Sequence, residues 1–130
     1  MSLARMRVAA ILVGGAVGAL ARGAIAEALP RDPGEWPWAT FSVNLAGALL
    51  LAWLTTRLTE VVAPTRYWRF LLGTGFSGAL TTFSTFQVET IELARDGSVA
   101  LAIAYAATSI AAGMLLAVAA TVAARRRRYG

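Results

Sequence analysis

The chain has 130 residues, 58% of them apolar and only 15% charged, with twelve basic and seven acidic residues and a net charge of +5. Soluble domains carry about 45–50% apolar and about 25% charged residues, and a chain this short has too little interior to hide the excess, so the apolar surface requires lipid. There is no cysteine and no histidine, which excludes disulfides, thiolate metal sites, cysteine nucleophiles and the commonest proton shuttle. A spanning helix takes about 20 apolar residues, so the length allows four spans with short loops and no large catalytic domain.

The first apolar stretch, residues 8–21, is uncharged, and Arg22 interrupts what otherwise continues to Ala26. A span over residues 5–29 must therefore include Arg22. Arg5, Arg7, the apolar run and Ala24-Ile25-Ala26 also fit a cleaved signal peptide. Gly14 and Gly18 instead form a small-xxx-small face suited to close helix packing. Pro30, Pro33 and Gly34 break the chain before a second stretch, residues 36–56, inside a helix over 37–60. Trp36 and Trp38 stand at its start, where amphipathic rings favour the headgroup level. Asn44 lies within this apolar run. A buried amide in lipid needs a partner, so Asn44 is either an anion donor or inter-helix glue, and Gly47 lets a neighbour approach the same face.

The third stretch, residues 70–88 within a helix over 67–94, departs from the others. It carries Gly73, Gly75 and Gly78 and hydroxyls at Thr74, Ser77, Thr81, Thr82, Ser84 and Thr85. Such residues suit a packing face. They equally suit a break around Gly78 to Thr81, whose freed carbonyls can hold a cation. Phe83 and Phe86 share a face. They are either ordinary apolar packing or a pair of electropositive ring edges for a small anion, free of the full charge that would hold the anion too tightly for passage. Glu89 is the only acid deep in this helix, and Arg22 is its candidate partner. The fourth stretch, residues 99–124 in a helix over 98–124, bears Tyr105, Thr108, Ser109 and Gly113 at 3–4 spacing, a polar stripe for helix contacts or for a pathway.

Four spans put Arg5, Arg7, Arg57, Arg66, Arg69 and the four arginines 125–128 on one side, against Arg31 and Arg95 on the other. This bias predicts cytoplasmic termini. The terminal arginines read as a lipid anchor rather than a nucleic-acid patch. Arg22 either snorkels to the interface or draws anions into a vestibule. No nucleophile–base pair, membrane carboxylate pair or phosphate loop is present, so no enzyme is expected. A proton-coupled multidrug exporter would need a carboxylate within the first span, where only Glu27 stands, at the far end. A non-transporting membrane adaptor held by Gly14 and Gly18 remains a further reading.

Three segments together resemble the bacterial fluoride channels of the Fluc (CrcB) family, over nearly the whole chain. They are Gly14-Gly15-Ala-Val-Gly18-Ala-Leu-Ala-Arg22, Thr40-Phe-Ser-Val-Asn44-Leu-Ala-Gly47 and Gly75-Phe-Ser-Gly78-Ala-Leu-Thr81-Thr82-Phe83-Ser84-Thr85-Phe86. The resemblance implies an all-α integral membrane protein of one domain, residues 1–130, with four transmembrane helices, the third broken near the midplane. It implies an antiparallel, dual-topology dimer in the bacterial cytoplasmic membrane, with no nucleic-acid partner, and keeps the first helix rather than cleaving it. It implies passive fluoride export, with Phe83 and Phe86 supplying ring edges and Asn44 a donor. Tyr105, Thr108 and Ser109 would form a polar track, with Thr82, Ser84 and Thr85 nearby. A structural sodium ion would sit at the dimer centre on the carbonyls of Gly78 and Thr81. Ala79 stands where many relatives have a second glycine. Dual topology needs nearly balanced sides, so the arginine bias leaves two dimers open, a homodimer and a pairing with an oppositely oriented paralogue.

Overall fold

A computed structural model describes residues 2–61 and 66–126. Pro64, Arg127 and Arg128 lie outside the described residues, as does the side chain of Arg66. All regular structure among the described residues is helical. Helix α1 spans Leu3–Ala28 and is capped by the Ser2 hydroxyl, which accepts from the Arg5 N–H at 3.4 Å. Helix α2 spans Trp38–Thr56 and runs on as a π-wound segment, π1, Arg57–Val61. A third rod is assembled from pieces: α3 (Arg66–Trp68), a π-wound segment π2 (Arg69–Ser77), α4 (Gly78–Leu80) and α5 (Phe83–Arg95). Helix α6 spans Val99–Arg126. Among the described residues, three helical runs are long and apolar enough to cross a membrane: Leu3–Ala28, Trp38–Glu60 and Val99–Arg126. The third rod is absent from that set because its pieces are short.

Two features set the third rod. Within π2 the Ser77 hydroxyl donates to the Leu72 carbonyl five residues back at 2.8 Å, the reach of π rather than α winding. After Leu80 the chain leaves helical geometry: Thr81 has φ −80°, ψ 155° and Thr82 has φ −148°, ψ 122°. A new helix begins at Phe83, with Thr82 as its N-cap. The Thr82 hydroxyl accepts from the Thr85 N–H at 3.2 Å, satisfying one of the orphan donors of the first turn.

Helix α1 packs on π2 and α4, and α2 packs on α6. The first contact is made backbone to backbone. A Cβ at Gly14 would strike the Leu71 carbonyl oxygen, and one at Gly18 the Phe76 carbonyl oxygen. A Cβ at Gly75 would lie 2.7 Å from the Ile11 carbonyl and 3.1 Å from the Gly14 Cα. Glycine is thus required on both sides of the crossing. A small core gathers at the opposite end, where Leu93, Ala102 and Tyr105 are packed by Trp36, Phe41 and Phe86.

Contacts of charged residues group the helix ends. Arg7 lies over the Phe70 ring at 5.4 Å, and Arg125 pairs with Glu60 through Nε at 2.7 Å and Nη2 at 2.8 Å. The start of α1, the start of the third rod, the end of α2 and the end of α6 therefore share one end. At the other end Arg31 meets Glu92 at 2.7 Å.

Candidate functional site

The site forms where the third rod leaves helical geometry against α2. In a continuous helix the N–H groups of Thr82 and Thr85 would bond to the carbonyls of Gly78 and Thr81. Here Thr82 N–H donates to Asn44 Oδ1 at 2.8 Å, and Thr85 N–H to the Thr82 hydroxyl. Asn44 Nδ2 in turn donates to the Thr82 carbonyl at 3.0 Å. One side chain thus replaces both backbone partners that Thr82 loses. Gly47, one turn further along α2, receives Thr81: a Cβ there would strike the Thr81 side-chain methyl. The Thr81 hydroxyl donates to the Ser77 carbonyl at 3.0 Å, an acceptor already used by the Thr81 N–H at 3.1 Å.

Replacing Asn44 with Leu would leave two backbone groups without partners in an apolar surround. We expect Asn44→Leu to cost about 2–5 kcal/mol of stability, read as a lower thermal midpoint in detergent. Asn44→Asp retains the acceptor for the Thr82 N–H and should lose less.

Two cavities flank Thr82. The first, about 410 Å³, is lined by Arg22 and Arg31, by Thr40 and Glu89, and by Thr82 and Thr85. Glu89 is held by two hydroxyls rather than by Arg22. Thr40 Oγ1 donates to Glu89 Oε1 at 2.8 Å and the Tyr105 hydroxyl to Oε2 at 3.0 Å. Arg22 lines the same cavity, half-buried, with no ion-pair or hydrogen-bond partner among the described residues. The expected Arg22–Glu89 pair is corrected accordingly: Thr40 and Tyr105, on α2 and α6, lie nearer the carboxylate. The second cavity is an open cleft of about 300 Å³ bordered by Asn44, Thr81, Thr82, Phe83, Phe86 and Ser109. Phe83 and Phe86 are stacked, with centroids 6.0 Å apart and planes at 26°. Near-parallel rings present their electropositive edges side by side. Phe83 is 70% exposed, whereas Phe86 is half-buried with its centroid 5.2 Å from that of Tyr105. The Ser109 hydroxyl is buried without a partner; an orphaned donor in a cleft asks for a ligand or water.

Asn44, Thr82, Phe83, Phe86 and Ser109 thus come together, Thr85 and Arg22 line the adjoining cavity, and Tyr105 lies behind it, bonded to Glu89. Ser84 is exposed, 3.4 Å from the Thr82 hydroxyl. Thr108 is exposed and borders neither cavity. Thr40 is the working residue that the sequence did not single out. Its spacing of four from Asn44, on the face that also carries Gly47, was the available signal. Gly78 is exposed, with open space around its Cβ direction, and it lines with Thr81, Ser77, Thr74 and Arg69 a third cleft of about 420 Å³.

Comparison with known proteins gives these positions a context. The family described as "CrcB-like protein, Camphor Resistance (CrcB)" matches residues 9–121. A Mycobacterium bovis protein named "Fluoride-specific ion channel FluC 1" is 52% identical over 120 residues, covering 92% of this chain and 91% of that protein. The Mycobacterium tuberculosis protein of the same name matches to the same extent, and that of Mycolicibacterium paratuberculosis is 51% identical over 120 residues. The family match begins inside α1 and ends inside α6, taking in the glycine crossing, the Asn44 clamp and both cavities, so the chain belongs to the Fluc (CrcB) family.

Proposed function

We propose that this chain is a fluoride channel that lets fluoride leave the cell passively across the bacterial cytoplasmic membrane. Fluoride that enters as HF and ionises inside is the substrate, and no energy coupling is required. The observation that carries this reading is the cleft beside the Asn44-clamped interruption, where two stacked phenyl rings, an orphaned Ser109 hydroxyl and the second Asn44 amide N–H converge. Ring edges and neutral donors suit a small anion that must be desolvated and then released. The relatives named as fluoride-specific channels support it.

In this reading the third rod crosses the membrane as a fourth span. Its interruption falls near the midplane, because Thr81 is 12 residues from Arg69 and Thr82 is 13 from Arg95. Arg22 draws anions into the vestibule, and Thr82 and Thr85 pass them toward Phe83 and Phe86. Ser109, Tyr105, Ser84 and Thr108 complete the polar pathway. Two chains assemble antiparallel. The uneven arginines favour one orientation per chain, so the partner is an oppositely oriented paralogue, or a second copy if both orientations insert. The sequence has no cysteine, so a single Ser98→Cys residue labelled from one face of intact cells reads orientation directly. Labelling from the outer face alone supports the paired assembly, and labelling from both faces supports the homodimer.

The carbonyls of Gly78 and Thr81 fit a structural sodium ion, since the N–H groups that a continuous helix would send them are engaged by Asn44 and Thr82. A bound sodium ion would neutralise these oxygens and join the two interrupted rods. Exchanging sodium for a large organic cation is then expected to shift dimer toward monomer in detergent, measured by size-exclusion chromatography.

The function is tested in a bacterial strain without a fluoride exporter. Expression of this chain, with its paralogue where one orientation only inserts, restores growth in fluoride medium. Continued sensitivity despite correctly inserted protein would count against conduction.

A further inference from the structure

The vestibule has a charged rim that the pathway does not use. Arg31 lines the same cavity as Arg22, Glu89 and Thr85, but its charge is engaged. Arg31 Nη2 lies 2.7 Å from Glu92 Oε2, and Nη1 donates to the Glu35 carbonyl at 3.4 Å. The two partners differ in position. The Arg31 side chain is 18% exposed, set into the wall, whereas the Glu92 side chain is 51% exposed, at the rim. Glu92 lies three residues after Glu89 on α5, hence on the same helix face, while Glu89 is tied to Thr40 and Tyr105. Arg31 is also one of two arginines on its side of the membrane outside the spans. Arg22 is the other cation that lines this cavity.

We propose that Glu92 sets the anion-gathering strength of the vestibule by masking the Arg31 guanidinium, making the Arg31–Glu92 pair a rate-determining element at the mouth. The inference rests on the fluoride-channel reading. An unmasked guanidinium beside a narrow, low-dielectric mouth raises the local anion concentration, and the effect is screened by salt. Removing the carboxylate therefore leaves a more positive mouth, and removing the guanidinium leaves a more negative one. If the pair only strapped the α1–α2 loop to α5, both changes would loosen the same strap and act in the same direction.

The test is the initial fluoride efflux rate from proteoliposomes at low fluoride, for wild type, Glu92→Gln, Arg31→Gln and the double variant. Each is first shown to elute as wild type on size exclusion. At about 0.01 M ionic strength, where screening is weak, Glu92→Gln should be about two- to fivefold faster and Arg31→Gln slower by a similar factor. The double variant should return close to wild type, and all four should converge at about 1 M salt. Both single variants slower together, both unchanged, or differences that persist at high salt would overturn the proposal. A wild type that conducts no fluoride, both alone and with an oppositely oriented paralogue, would remove the function and this inference with it. Conduction with unaltered variants would remove this inference alone.

Discussion

Phe83→Ile, in purified protein reconstituted into liposomes, is expected to lower fluoride efflux at least about tenfold while the protein keeps its fold. Phe83 is 70% exposed and contacts Phe86 at 6.0 Å, so its ring contributes little to the chain's own core. Isoleucine keeps an apolar side chain but removes the quadrupole whose positive edge meets the anion. A loss of roughly 1.4 kcal/mol at the barrier gives that factor. Phe86→Ile should impair conduction too. It should also lower stability by about 1–2 kcal/mol, because Phe86 packs on Tyr105 in the small core. The pair thus separates function from packing. If Phe83→Ile conducts as wild type, the rings are packing residues and the cleft is not the pathway. The measurement is the fluoride-electrode trace, read beside the thermal midpoint of the same sample.

Gly14→Leu and Gly75→Leu are expected to prevent assembly of the bundle outright. At both positions even a methyl group would meet backbone rather than a movable side chain: the Leu71 carbonyl for Gly14, the Ile11 carbonyl for Gly75. Backbone cannot yield without parting α1 from π2. Overpacking usually costs about 1–3 kcal/mol, and more where nothing relaxes. The expected readout is aggregation, with loss of the folded peak on size exclusion. Gly23→Ala is the control. Nothing stands within 4 Å of its Cβ direction, and alanine is favoured over glycine inside a helix by up to about 1 kcal/mol. It should therefore leave the thermal midpoint unchanged or raise it. A tolerated Gly14→Leu would mean that α1 does not cross the third rod at these glycines.

The glycine crossing shows how much of the fold was legible. Gly14 and Gly18 announced a close contact from their spacing alone, but not its partner. The partner is a π-wound segment carrying Gly75, and π winding depends on tertiary contacts that a residue pattern does not encode. Asn44 shows the same limit at the site. A lone amide in an apolar run demanded a hydrogen-bond partner, and Thr82, 38 residues away, is found only once α2 and the third rod are packed. The reading of Glu89 failed for a related reason. Arg22 was the unlike charge available within a span, yet Thr40 and Tyr105 approach from α2 and α6 and bind the carboxylate between them. On the fourth helix the polar stripe was legible, but not which of its residues borders which cavity. Adjacent helical residues point about 100° apart, so Ser109 faces the phenyl cleft and Thr108 does not. Periodicity fixes a face only to within a turn, and packing sets which residue borders a given cavity.

This chain is expected to conduct fluoride through the cleft beside the Asn44 clamp. The most direct test is efflux measured with a fluoride electrode from liposomes loaded with fluoride and chloride. Samples carry the purified chain alone, and the chain with an oppositely oriented paralogue. The predicted result is rapid fluoride release, with chloride retained, in at least one sample. Retention of fluoride in both, with folded protein recovered from the vesicles, would contradict conduction by this chain.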